Sequence, residues 1–363
     1  MLHHEFIKAG EDAEIARANV ESQRLAQMAV ALEREKAAQG EREKALSREQ
    51  QALRRGKRAL AAAAGLFVTI VLGAVGLRFQ AEIKRQWFWL NYVRGYALTP
   101  EQARALDPGQ SFRECARIPG AEADAPRYAE YSANCPEMVV APAGRFIMGT
   151  PPERGENRER PQVEVTIAKP FAVSKYEITA EHWNTCVAYG GCGPGGGAGK
   201  DPVSSVSWHE AKYYVAWLSQ MTGHTYRLLS NSEWEYVARA GSTADYWWGE
   251  ELGKGNANCA TCGSQWDGKS AAPVGSFKPN AFGLYDVHGN VWEWVEDPWH
   301  DDYIAAPADG SAWLEGGDQR RRVIRGGAWY GDAIGLRVTR RGRYTADDHG
   351  NDVGFRVART LAP

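Results

Sequence analysis

The chain has 363 residues and a formal net charge of −2, and it is rich in glycine and tryptophan, with 39 and 14 of each. That length can bury a substantial core in one or two domains. The near-neutral balance excludes nucleic-acid binding driven by bulk electrostatics.

Residues 1–58 hold a single aromatic, Phe6, among many alanines, glutamates and arginines. From Glu11 to Arg58 there is no proline, and this composition predicts a long exposed helix. Leu25, Leu32, Leu46 and Leu53 fall on one seven-residue repeat. Gln39 occupies the slot between them, and the complementary seam is charged at Glu35, Arg42 and Glu49, so a solvated stalk is favoured over a coiled coil.

Residues 59–77 form an uncharged run of alanine, glycine and branched apolar residues. At about 1.5 Å per residue the run is long enough for a hydrocarbon core of roughly 30 Å, which predicts a transmembrane helix. It lies too far from the start for an ordinary signal peptide. Arg54, Arg55, Lys57 and Arg58 precede it, against Arg78, Lys84 and Arg85 after it, a bias that places the N-terminus in the cytoplasm and the C-terminal domain outside. Ala61, Gly65, Thr69 and Gly73 make a small-residue stripe through which two copies would pair as a homodimer, continued by the stalk. Trp87, Phe88, Trp89 and Tyr92 fit an interfacial aromatic belt.

After a juxtamembrane connector over residues 78–134, residues 135–363 break into short units punctuated by glycine, proline and asparagine. This pattern predicts a loop-rich α+β domain. Helices are expected over residues 180–189 and over residues 207–222, where Trp208, Ala211, Tyr214, Val215 and Leu218 share a face. A third starts at Asn231, with Ser230 or Asn231 as N-cap and Trp234, Val237 and Ala238 pointing inward. Trp292 and Trp294 alternate with Val291, Glu293 and Val295 as a buried strand does, so both tryptophans are assigned to packing.

The six cysteines are Cys115, Cys135, Cys186, Cys192, Cys259 and Cys262. In an exported domain the close pairs Cys186 with Cys192 and Cys259 with Cys262 read as disulfides. In a cytosolic one the same four read as a zinc site joining both pairs.

An ordered series of motifs runs through this domain. It comprises Gly144-Arg145-Phe146-Ile147-Met148-Gly149, Ser174-Lys175-Tyr176-Glu177-Ile178-Thr179, and Pro202 through Trp208. It continues with Tyr226-Arg227-Leu228, Glu233-Trp234-Glu235-Tyr236, Ala238 through Gly241, and Asn280 through Asp286. Gly289-Asn290-Val291-Trp292-Glu293-Trp294, Arg325-Gly326-Gly327 and Gly354-Phe355-Arg356 complete it. The series resembles the formylglycine-generating enzyme (sulfatase-modifying factor) family. The resemblance implies a large variant of the C-type lectin fold, loop-rich with an ordered tryptophan core. One departure is Leu229-Ser230-Asn231, where the family usually shows Pro-Thr-Glu, a change expected to alter a helix cap and not the fold.

The resemblance also implies structural calcium. Its ligands would be the side chains of Asp286 and Glu293 with the backbone carbonyls of Gly289 and Val291, and a second site would map onto Asn258 and Asp267. Hard oxygen donors on a tight turn are what calcium requires. Catalytic members carry two cysteines just after the Arg-Gly-Gly signature, whereas residues 330–343 contain none. Oxidation of a cysteine with copper needs soft thiolate ligands for Cu(I), so neither copper nor formylglycine generation is expected. The eight histidines form no His-x-x-x-His-x-Glu pattern, which excludes a sulfoxide-synthase relative as well.

After Trp329 no Lys, Glu, Gln, Met or Trp occurs. Those are the residue types that an AAC or AAT asparagine codon cannot reach by changing only its adenines, and every residue from Tyr330 to Val353 can be reached that way. The pattern resembles the variable region, here about residues 329–353, of lectin-fold proteins diversified by retroelements. The rewritten, ligand-contacting positions would be Tyr330, Gly331, Asp332, Gly335, Arg340, Gly342, Tyr344, Thr345, Asp348, His349, Gly350 and Asp352. Arg337, Arg341, Arg343, Asp347 and Gly354-Phe355-Arg356 would be the fixed frame. Arginine-for-lysine bias in a glycine-rich turn region is the plainer account of the same pattern. Tyrosines with rigid area, charged side chains and glycines make a binding surface for an unknown protein or small molecule. The expectation is therefore a membrane-anchored, non-enzymatic ligand-binding protein. The alternative is a divergent oxidase, or a regulatory pseudoenzyme domain of a membrane signalling protein.

Overall fold

The computed structural model describes residues 97–115, 135–195 and 197–361, with scattered positions between 21 and 93. The chain divides into two units, residues 1–79 and 80–363. In the first, the described positions from Glu21 to Gly56 are all α-helical and nearly all exposed. Of the heptad leucines only Leu46 is described, and it is exposed. The expected membrane span over residues 59–77 and the aromatic belt at residues 87–92 lie outside the described residues. Among the described residues no helix is long and apolar enough to cross a membrane.

In the second unit, after the scattered helical positions Ile83, Gln86 and Val93, come a short helix, α1 (Pro100–Arg104), and then β1 (Ser111–Phe112), β2 (Met138–Ala141), β3 (Gly144–Met148), β4 (Val163–Ile167) and β5 (Phe171–Ser174). Helices α2 (Ala180–Ala188) and α3 (Trp208–Thr222) follow, then β6 (Tyr226–Leu228) and α4 (Asn231–Arg239). Residues 240–291 contain no helix or strand, and β7 (Trp292–Trp299), β8 (Asp318–Arg325), β9 (Arg341–Thr345), β10 (Val353–Gly354) and β11 (Val357–Thr360) complete the domain.

Local chemistry accounts for the helix starts. Thr179, Ser207 and Ser230 each accept from the backbone N–H three residues on, and the side chain at that position, His182, Glu210 or Glu233, reaches back. Such reciprocal caps satisfy donors the helix itself leaves unpaired. The departure at residues 229–231 therefore preserves a cap, supplied by Ser230. Helix α3 buries Trp208, Ala211, Tyr214, Val215 and Leu218, as their spacing predicts, and stops at Gly223 in the left-handed region.

Three sheets organise the unit. The largest has the order β1-β2-β5-β11-β6, so the last strand is inserted between β5 and β6, with Ala358 opposite both Val173 and Arg227. The second has the order β10-β7-β8-β9, in which β10 runs parallel to β7. The third is the hairpin β3–β4. Tryptophans lie at the junctions. Trp183 stacks on Tyr214 at 6.1 Å and meets Phe355 edge-on, while Trp294 donates its Nε1–H to Val206. Trp292 is half-buried and Trp294 fully buried, which bears out their assignment to packing.

All six cysteines form disulfides: Cys115–Cys135, Cys186–Cys192 and Cys259–Cys262. The zinc alternative is thereby overturned, because each close pair is bonded within itself. The Cys115–Cys135 pairing is one that spacing did not single out.

Candidate functional site

Beyond Arg325-Gly326-Gly327 the chain leaves β8, loops through residues 328–340, returns as β9, and turns at residues 346–352 into β10. Buried polar groups hold the loop from behind. His288, almost fully buried, donates from Nδ1 to the Leu336 carbonyl at 2.7 Å and accepts the Trp247 N–H at Nε2 at 3.1 Å. Burial, against a smaller opposing pull from the Leu336 bond, pushes its pKa down to about 4, so the ring is neutral. Val338 N donates to the Asp245 carbonyl, and the Tyr246 hydroxyl to that of Ala333. Fully buried Glu159 takes Arg337 at 3.0 Å and the Thr339 hydroxyl at 2.8 Å. Sequence reading missed His288 and Glu159, because a lone histidine or glutamate in a loop carries no periodic signal.

The outer face presents Tyr330, Asp332, Ile334, Thr345, Asp348 and His349. Tyr330 donates to Asp352 Oδ2 at 2.7 Å, and Tyr344 lies close enough to both for their charges to act on its phenol. Partial burial, together with Asp352, raises both phenols above their usual range. The two arms of the segment are thus joined by Tyr330 on the Asp352 carboxylate. His349 Nε2 lies 2.9 Å from Glu210, at the start of α3, and His209 lies 3.6 Å from Asp347.

Several expected contact residues point elsewhere. Asp352 is only 3% exposed and holds Tyr330 from below. Arg340 is paired with Glu156 and Glu159. The Gly331 carbonyl accepts the N–H of Ala260, in the loop of the Cys259–Cys262 disulfide, and the Gly350 carbonyl accepts that of Ser205. Gly335 N–H is bonded to Asp332. At Gly342 a Cβ would meet Ile324 at 2.8 Å, so packing against β8 keeps this position small.

Behind this surface lies a centre of buried carboxylates. Arg356 donates from Nε and Nη2 to the two oxygens of Glu293, both at 2.6 Å, and Trp234 Nε1 adds a bond to Glu293 at 2.7 Å. Fully buried Glu177 accepts from Asn290 Nδ2 at 2.6 Å and from Val291 N at 3.2 Å. Asp286, in the left-handed region, accepts the Gly275 N–H on Oδ2, while its buried Oδ1 has no partner among the described residues. Burial first, then Asp286 and Glu293, hold Glu177 well above the usual carboxylate range, and burial brings Asp286 to about 6. Gly289 closes the turn at φ +81°, and a Cβ there would lie 2.2 Å from the Asn258 carbonyl.

The donor set suits calcium at Asp286, whose buried Oδ1 has no partner among the described residues and whose charge is felt by Glu177 in a centre where the one guanidinium, Arg356, is paired with Glu293. At Glu293 three N–H donors already occupy most of the carboxylate. Among the described residues no three His, Cys, Asp or Glu side chains converge to hold a metal, so backbone carbonyls such as those of Gly289 and Val291 would have to complete the shell. In the second expected site, the Ser264 hydroxyl bridges Asn258 Oδ1 at 3.1 Å and Asp267 Oδ1 at 2.5 Å, which brings both candidates together. Glu177 was quoted only as part of a strand motif, and its place in this centre was not read.

A family model described as the sulfatase-modifying factor enzyme 1-like domain matches residues 123–361. The chain is 31% identical over 301 residues to the inactive C-alpha-formylglycine-generating enzyme 2 of Mus musculus, covering 64% of this chain and 89% of that protein. Bacterial proteins named formylglycine-generating enzyme also match. Among solved structures it is similar to PvdO from Pseudomonas aeruginosa, with a TM-score of 0.59 and 38% identity over 70% of this chain and 99% of that one. The fold is also shared with Treponema denticola variable protein 1, at a TM-score of 0.51 and 21% identity over 61% of this chain and 94% of that one. Motif series, lectin-type architecture and a match over most of its length agree: the chain belongs to the sulfatase-modifying factor, or formylglycine-generating enzyme, family.

Proposed function

We propose that this protein is a non-enzymatic member of the family that binds a ligand on the surface built from residues 330–352. The observation that carries the reading is the state of its thiols. All six cysteines are closed in disulfides and none lies in residues 330–343, so there is no thiolate pair to hold Cu(I). Tyr330, Asp332, Thr345, Asp348 and His349 supply aromatic area and charge-assisted hydrogen bonds to a protein or small-molecule ligand. The inactive relative supports the same reading, as does a fold shared with a variable protein. Incubating the full-length chain with copper and a cysteine-containing peptide is expected to leave the cysteine intact, and conversion to formylglycine would overturn the proposal.

The codon pattern after Trp329 adds a proposal of retroelement-driven diversification. Sequencing residues 330–352 across a population of the source cells is expected to show adenine-derived changes at Tyr330, Asp332, Thr345, Asp348 and His349. Gly342 is expected to stay glycine, because any Cβ meets Ile324. An invariant segment would return the surface to a fixed ligand site.

The surface would face outward from a membrane anchored by residues 59–77, with pairing through that span and the stalk. Three disulfides fit such an oxidising compartment. Calcium bound through Asp286, Glu293 and the carbonyls of Gly289 and Val291 would supply the positive charge that Arg356 alone leaves short. Chelation with EGTA is then expected to lower the thermal unfolding midpoint and excess calcium to restore it. A midpoint indifferent to both removes the ion from this account.

A further inference from the structure

Behind the loop of residues 328–340, where buried Thr339 lines one corner, a cleft of about 450 Å³ opens beside β3, within the roughly 300–1,000 Å³ typical of ligand sites. One wall is the consecutive run Arg145, Phe146 and Ile147; no residue of β4 lines the cleft, so it lies on the side of β3 away from its partner. The opposite wall is the loop of residues 241–245 that follows α4. Phe146, Tyr236 and Phe282 form an aromatic floor, with ring centroids 5.4 and 5.5 Å apart in succession.

Two features define what would fill it. The hairpin β3–β4 is a two-stranded sheet. The outer edge of β4 is occupied, since Thr166 N donates to the Ala308 carbonyl, whereas among the described residues β4 is the only strand on β3. An open strand edge offers backbone donors and acceptors to an incoming strand. The charge at the cleft is also one-sided. Arg154 is taken by Asp245 and Glu250, and Arg239 by Glu235, while exposed Arg145 has no ion-pair partner among the described residues.

We propose that this cleft binds an extended acidic peptide, which adds to the open edge of β3, seats an apolar or aromatic side chain on the Phe146–Tyr236–Phe282 floor, and places a carboxylate on Arg145. Backbone hydrogen bonding would supply affinity, and the floor and the arginine specificity. The occupant is a partner protein's segment, recognised independently of whatever the surface at residues 330–352 binds.

The test is selection of peptides from a random display library on the full-length chain, followed by hydrogen exchange with the selected peptides bound. Enriched sequences are expected to combine an acidic residue with an apolar or aromatic one at alternating spacing and to protect the amides of residues 145–147. Their affinity is expected to fall about tenfold in Arg145→Glu and again in Ile147→Asp; both positions are exposed, so neither variant threatens the fold. N-methylation of alternate peptide amides should abolish binding. Failure to enrich any sequence, enrichment of basic peptides, or binding that leaves the β3 amides unprotected and ignores Arg145→Glu would each overturn the proposal.

Discussion

Replacing Arg356 by alanine is expected to destabilise the domain by about 3–5 kcal/mol, the cost of leaving buried charge without its partner. Arg356 is fully buried, and its fork binds both oxygens of Glu293 while Nη2 also reaches the Tyr285 carbonyl at 3.0 Å. The charges of Glu177 and Asp286 also act on this guanidinium. Without it Glu293 keeps only the Trp234 N–H, and among the described residues no other side-chain cation pairs with these carboxylates. A domain stable by roughly 5–15 kcal/mol would lose a large share of that margin. Arg356→Lys retains the charge but not the fork, so an intermediate loss is expected. Urea unfolding followed by tryptophan fluorescence reads both variants. A loss under about 1 kcal/mol in Arg356→Ala would mean that the centre is neutralised by protons and not by this arginine.

Arg356 also illustrates what could be read in advance. Its motif, Gly354-Phe355-Arg356, was visible as part of an ordered series, yet its partners lie on elements remote in sequence: Glu293 on β7, Ser174 at the end of β5, and Tyr285 in the long loop. What could be read was local. The caps at Ser207 and Ser230 are set by a glutamate three residues on, and the inner face of α3 by its own spacing. The insertion of β11 between β5 and β6 was not legible, because strand order is decided by pairings across the whole domain. The same reason separates Tyr330 from Asp352. Both read as surface residues in a polar stretch, but one is exposed and the other carries it from below. Gly342 read as a display position until Ile324, on the neighbouring strand, was seen to fill its space.

Acid should loosen the candidate surface through His288. Burial lowers its pKa from 6.5 to about 4. The folded state therefore binds this proton less readily than the unfolded chain does. The resulting stability is fully present above pH 6.5 and is lost as pH falls from there to about 4, by about 3 kcal/mol in total. Asp297 acts in the opposite sense. Its buried carboxyl, raised from 3.8 to about 6, favours the folded state as it takes up a proton over that interval. A single acid titration of the chain would mix these with Asp286, also raised to about 6, so the informative comparison is with His288→Gln, which retains a donor and an acceptor but does not titrate. Between pH 6.5 and 4 the stability of the native chain is expected to fall relative to the variant by about 3 kcal/mol. Because the ring ties Leu336 to Trp247, hydrogen exchange around residues 333–338 is expected to quicken before the rest of the domain. Parallel pH profiles for the two proteins would show that the imidazole takes up its proton as readily in the folded chain as in the unfolded one and that the surface is held by other bonds, such as those from Val338 to Asp245 and from Tyr246 to Ala333.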